Sequence, residues 1–119
     1  MFFGEVVDEK KHGEGILVSE KEVYEGKFER NLKVKGCEKN RDGIYSGRFL
    51  KGKRNGSGTY EWNNGERFEG EWKEGKKNGF GKWTSPKGDS YEGEWKENRQ
   101  HGKGYYIHFG GSKYRGYFK

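Results

Sequence analysis

The chain has 119 residues, with 25 Lys or Arg against 19 Asp or Glu and a net charge of +6. Only 28% of it is hydrophobic and 17% is aromatic, so Leu, Ile and Val are too few for an ordinary aliphatic core. These proportions suit one domain. No apolar run along the chain approaches the ~20 residues of a spanning segment, and the single cysteine excludes an internal disulfide and points to a reducing compartment.

The first unit opens at Phe2, with Gly4 two residues on and Val6 four on. The stretch MFFGEVVDEKKHG becomes charged too soon for a signal peptide. The pattern restarts at Tyr24, Tyr45, Phe68, Tyr91 and Tyr114, at spacings of 22, 21, 23, 23 and 23 residues. Gly26, Gly47, Gly70, Gly93 and Gly116 stand two residues after each start. Phe28, Phe49, Trp72, Trp95 and Phe118 stand four after it. A second glycine pair follows at Gly13 and Gly15, Gly56 and Gly58, Gly79 and Gly81, Gly102 and Gly104, and then Leu17, Tyr60, Trp83 and Tyr106.

Alternation at a step of two is the strand signal, and it puts Phe68, Gly70 and Trp72 on one face with Glu69, Glu71 and Lys73 on the other. The run Lys73–Asn78 reads as the turn joining two strands of a hairpin. A period of this length marks a repeat architecture. The units are 2–23, 24–44, 45–67, 68–90, 91–113 and a partial 114–119. NNGE at Asn63–Glu66, SPKGD at Ser85–Asp89 and FGGS at Phe109–Ser112 are turns between hairpins. Links this short force antiparallel neighbours. The prediction is an all-β, single-layer antiparallel meander of eleven strands, on the order of 50 Å long at ~4.8 Å per strand. The glycines mark backbone over which a neighbouring ring lies.

The second unit departs from the pattern. Lys35 and Cys37 stand where the glycine pair is expected, with Gly36 between them and Lys39 in the aromatic place. A bulge over Val34–Asn40 is expected there. Cys37 reads as a small residue in a glycine slot rather than a reactive thiol.

YEGEWKENRQHGKGYY at Tyr91–Tyr106 resembles the MORN (membrane occupation and recognition nexus) repeat, whose pattern is Y-x-G-x-W, a polar turn, then G-x-G-x-Y. The likeness recurs in register over essentially the whole chain. The resemblance implies an elongated, twisted single-layer sheet and a non-catalytic role in protein interaction, scaffolding or membrane attachment. It also implies an intracellular setting: cytoplasm, cytoskeleton or cilium, or the membrane periphery.

No motif contradicts a non-catalytic reading. GRFLKGK at Gly47–Lys53 and GEWKEGK at Gly70–Lys76 lack the Ser or Thr of a phosphate loop. Three scattered histidines and one cysteine do not make a metal site, and no cofactor is implied. His12 and His101 precede glycines in turns. Glu69, Glu71, Glu92 and Glu94 recur by period, which suits cross-strand pairing with Lys.

The expected partner site is a groove on the aromatic-glycine face, with Tyr45, Phe49, Tyr60, Trp62, Phe68, Trp72, Trp83, Tyr91, Trp95 and Tyr106 as candidate anchors for a cytoskeletal or membrane-associated protein. The rival is an anionic phospholipid surface, phosphoinositide included. It would be held by Lys51, Lys53, Arg54, Lys76, Lys77, Lys96 and Arg99 along one edge. A third reading is a regulatory array of a larger enzyme. Single-stranded nucleic acid is disfavoured because the rings are committed to the repeat. The terminal strands read as open edges, so self-association or a longer parent array is expected to cover at least one.

Overall fold

Two-residue turns set the architecture. Asp8–Glu9, Arg30–Asn31, Lys51–Gly52, Glu74–Gly75 and Glu97–Asn98 all have positive φ at both positions. That is the type I′ geometry, whose twist matches that of the flanking strands. The expected turn over Lys73–Asn78 is therefore much tighter, and Lys76, Lys77 and Asn78 already belong to the next strand.

The computed structural model describes residues 1–118. The strands are β1 (Phe2–Val7), β2 (Lys10–Val18), β3 (Glu22–Glu29), β4 (Leu32–Asn40), β5 (Gly43–Leu50) and β6 (Lys53–Trp62). They continue with β7 (Arg67–Lys73), β8 (Lys76–Thr84), β9 (Ser90–Lys96), β10 (Arg99–Ile107) and β11 (Lys113–Phe118). Lys119, the end of the predicted last strand, lies outside the described residues. The strands pair in strict chain order into one open antiparallel sheet. The sheet spans 55 × 24 × 18 Å, and the all-β meander read from the sequence is the observed fold.

Each hairpin carries a bulge. Between the pairs Gly70↔Gly81 and Trp72↔Lys77, β7 has only Glu71 while β8 has Asn78, Gly79 and Phe80. The same offset follows Gly4↔Gly15, Gly47↔Gly58 and Gly93↔Gly104. Gly13, Gly56, Gly79 and Gly102 sit inside these bulges with φ of 70°, 84°, 100° and 66°, where a side chain is disfavoured. His12 and His101 also lie in bulges rather than in turns. The carboxylates opposite fill the gap. Glu71 accepts the Phe80 N–H at 2.6 Å and Glu94 accepts the Lys103 N–H at 2.6 Å. For these two glutamates, bulge amides replace the expected pairing with Lys.

The second unit is more regular than its sequence suggests. Gly36 pairs with Gly26 on one side and Gly47 on the other, so it holds the second glycine slot. The bulge there is one residue shorter, because Gly26↔Gly36 is followed by Phe28↔Lys33. That missing residue offset the reading by one. Lys35 and Cys37 face away from the rings, and Cys37 is exposed with Sγ 3.3 Å from Ser46 Oγ. Glu38, not Lys39, takes the aromatic place.

The core is built on a row of rings, with Tyr60 packed beside it against Trp72. Phe2, Phe28, Tyr24, Phe49, Tyr45, Trp72, Phe68, Trp95, Tyr91, Phe118 and Tyr114 follow one another in edge-to-face contacts, with centroids 4.9–5.4 Å apart. Such geometry adds ~0.5–1.5 kcal/mol per pair beyond area burial. The first ring of each unit leans over paired glycines: a Cβ on Gly15 would lie 2.7 Å from the Phe2 ring. The tyrosines then donate to a carbonyl three residues on: Tyr24 to Lys27 at 2.8 Å, Tyr45 to Arg48 at 2.7 Å and Tyr91 to Glu94 at 2.9 Å.

Burial pushes the Tyr24 and Tyr45 hydroxyls up to about 12, and that of Tyr91 upward. The folded state therefore holds these protons more tightly than the unfolded chain, in which tyrosine titrates near ~10. Stability is full below ~pH 10 and falls through about pH 12, by up to ~1.4 kcal/mol per pH unit for each group. Urea denaturation at rising pH should show this loss, and Tyr45→Phe should flatten it. A slope unaffected by that substitution would remove Tyr45 from the account.

Candidate partner-binding groove

The ten candidate anchors divide by exposure. Tyr45, Phe49, Tyr60, Phe68, Trp72, Tyr91 and Trp95 form the core, whereas Trp62, Trp83 and Tyr106 are only half-buried. Among these ten, accessible aromatic surface therefore belongs to the far ends of β6, β8 and β10. Trp62 lies 4.6 Å from Tyr60 between centroids, and Trp83 lies 6.4 Å from Tyr106. The Trp83 indole donates to Glu66 Oε1 at 3.0 Å, which fixes its plane.

Over Tyr60, Trp62 and Trp72 the face opens into a recess of about 560 Å³. One wall comes from the loops between hairpins, with Asn40, Asp42, Asn63 and Asn64. The other comes from the tight turns, with Gly75 and Asn98. Both walls are tied down. Asn63 donates its side-chain amide to the Arg41 carbonyl at 2.7 Å. Asn98 accepts the Lys77 backbone N–H at 2.9 Å and donates its own N–H to the Lys77 carbonyl at 3.0 Å. Beneath, Tyr60 donates to Asn40 Oδ1 at 2.9 Å and the Trp72 indole donates to the Gly58 carbonyl at 3.1 Å.

Arg54 and Lys77 line the same recess. Sequence reasoning placed them with the turn-edge lysines, but a step of one along a strand reverses the face. They belong to a row missed in the sequence: Lys11, Lys33, Arg54, Lys77 and Gln100 each stand five residues after the second apolar position of their unit. Superposing the units at that offset would have found it. Lys33 lies over Tyr24 at 5.2 Å, and Arg54 over Tyr60 at 4.8 Å. Lys77 lies over Trp62, Phe68 and Trp95 at 4.7, 5.4 and 5.1 Å.

Their electrostatics differ. Lys33 pairs with Glu22 and Glu38, each at 2.8 Å, and Arg54 reaches Glu38 at 3.4 Å. Burial alone would lower the Lys33 pKa, but the hydrogen bonds and charges of Glu22 and Glu38 carry it upward. Glu38, itself buried, closes the aromatic face at β4 with this network. At Lys77 burial prevails, and the pKa falls despite the pull of Glu66.

Lys51, Lys53, Lys76, Lys96 and Arg99 are exposed at or beside the tight turns. Lys76, Lys96 and Arg99 line a shallow depression with Glu97, Gln100 and His101. Among the described residues no helix is long and apolar enough to cross a membrane.

The MORN repeat family model matches residues 2–21, 45–67, 68–90 and 91–113. No curated protein matches the chain. The stretch left between the first two matches is the unit with the shortened bulge and Glu38 in its aromatic place. MORN repeats generally mediate protein or membrane interaction. Since the matched repeats cover most of the sequence and the ring-over-glycine hairpin recurs through the sheet, the chain belongs to the MORN repeat family.

Proposed function

We propose that this is a non-catalytic scaffold module that docks an extended segment of a protein partner in the recess on its aromatic face. The observation that carries this reading is Trp62. It lies outside the repeat pattern, since Ser19, Asn40, Ser85 and His108 hold the equivalent places. It is half-exposed at the floor of the recess, so the sheet does not need it for its core. Tryptophan is among the residue types enriched at interface hot spots, and the asparagine amides on the walls can pair with a partner backbone. A photo-crosslinking residue at position 62 should give protein adducts in cells, and one at Lys82, on the opposite face, should not. Adducts from position 82 alone would refute the reading.

A second reading has its own support in the exposed basic row Lys51, Lys53, Lys76, Lys96 and Arg99, which favours an anionic membrane surface at ~1 kcal/mol per residue. Binding to phosphatidylserine or phosphoinositide vesicles through that row should collapse with added salt. Docking on Trp62 should persist.

A further inference from the structure

The cation row contains its own comparison. Lys33 holds a carboxylate at 2.8 Å and Arg54 holds the same one at 3.4 Å. The carboxylate is Glu38, which occupies the place that Trp83 takes in the unit of Lys77 and Tyr60 in the unit before it. Lys77 therefore has the setting of Lys33 without the Glu38 counter-ion, while Glu66 stands two residues before Phe68 as Glu22, the other partner of Lys33, stands before Tyr24. Among the described residues no carboxylate lies within 4.0 Å of its ammonium. Glu66 is near enough to act through space, but one oxygen accepts the Trp83 indole and the other accepts the Asn64 side chain. Among the described residues no buried side-chain polar atom lacks a partner, so the unpaired ammonium keeps a face open to solvent.

We propose that Lys77 is a carboxylate subsite: a Glu or Asp side chain of the docked partner segment takes the place beside it that Glu38 takes beside Lys33, while an apolar neighbour packs on Trp62. This rests on the groove reading above and specifies the partner as an acidic segment with apolar residues. The intramolecular precedent is a carboxylate, which favours a peptide over a lipid phosphate. So does the position of Lys77 in a recess walled by Asn64 and Asn98. Among the described residues the only acidic one lining the recess is Asp42, on the loop wall with Asn63 and Asn64.

The test uses two short synthetic peptides, one alternating Glu with Leu and Phe, the other with Gln replacing Glu. The full chain is titrated with each, following tryptophan fluorescence and the Trp62 indole resonance. The Glu peptide should bind at least about tenfold more tightly. Lys77→Met keeps the stem's contacts with the rings; it should erase the difference without weakening the Gln peptide, and Lys77→Arg should retain it. Lys77→Gln serves as a second neutral variant if the first is poorly folded. Equal affinities would overturn the subsite and leave the groove standing. Discrimination that survives in both neutral variants would place the carboxylate elsewhere and overturn it too. If neither peptide shifts the Trp62 resonance, both readings fall. If phosphatidylserine vesicles bind and Lys77→Met abolishes that binding, the ammonium serves lipid and the proposal is wrong.

Discussion

Trp72→Ala is expected to lower the unfolding free energy by about 3–5 kcal/mol, the range for removing a large buried ring. Trp72 links Tyr45 to Phe68 in the ring row, and its indole holds the Gly58 carbonyl. It also floors the recess, so a collapsed cavity would not restore the partner surface. A domain of this size has ~5–15 kcal/mol in total, so the variant should unfold at far lower urea concentration. Trp62→Ala, half-exposed and outside the repeat, should cost much less. Equal losses in the two variants would show that the ring row does not carry the fold.

Gly81→Val is the second large effect, at about 3 kcal/mol, the upper end of typical overpacking. A Cβ there would lie 2.5 Å from Phe68 Cε1 and closer still to Cζ, and Phe68 is fully buried with no room to retreat. Valine is otherwise favoured over glycine in a strand. Strand propensity alone therefore predicts a gain, and steric overlap predicts a loss. Lys82→Val, one residue on and facing the other way, should be nearly neutral. Thermal unfolding of the pair decides between the two; a stabilised Gly81→Val would refute the ring-over-glycine packing.

Strand order, faces and glycine slots were legible because they repeat, and repetition makes each unit a check on the next. The tight turns were not. Glu74, Glu97 and Lys51 have positive φ without being glycine or asparagine, so only the second position of each turn, Gly75, Asn98 and Gly52, carried a residue type that marks it. The second unit was misread by one place because its bulge is a residue shorter, and a count from the turn cannot see a bulge. The candidate site was half legible. The aromatics were found, but period alone could not say that most of them would be spent on one another. Trp62 stood among the candidates, yet its departure from the period, the feature that marks it, went unused. The Lys77 row was hidden because neighbouring lysines face opposite ways, and a run such as Lys76–Lys77 looks like one patch until the strand divides it.

The strict chain order of the strands has a kinetic consequence. Every hydrogen-bonded neighbour is also a neighbour in sequence, so no long loop must close before a contact forms. Folding can nucleate at any hairpin and spread both ways, as in other one-dimensional arrays. Opening runs in reverse, from β1 or β11 inward; each step breaks one inter-strand interface, and every second step also parts a joint in the ring row. The recess draws on β6 and β8 and the turns around them, well inside both edges. Hydrogen exchange should therefore be slowest there, so the surface offered to a partner stays formed while the outer strands fray.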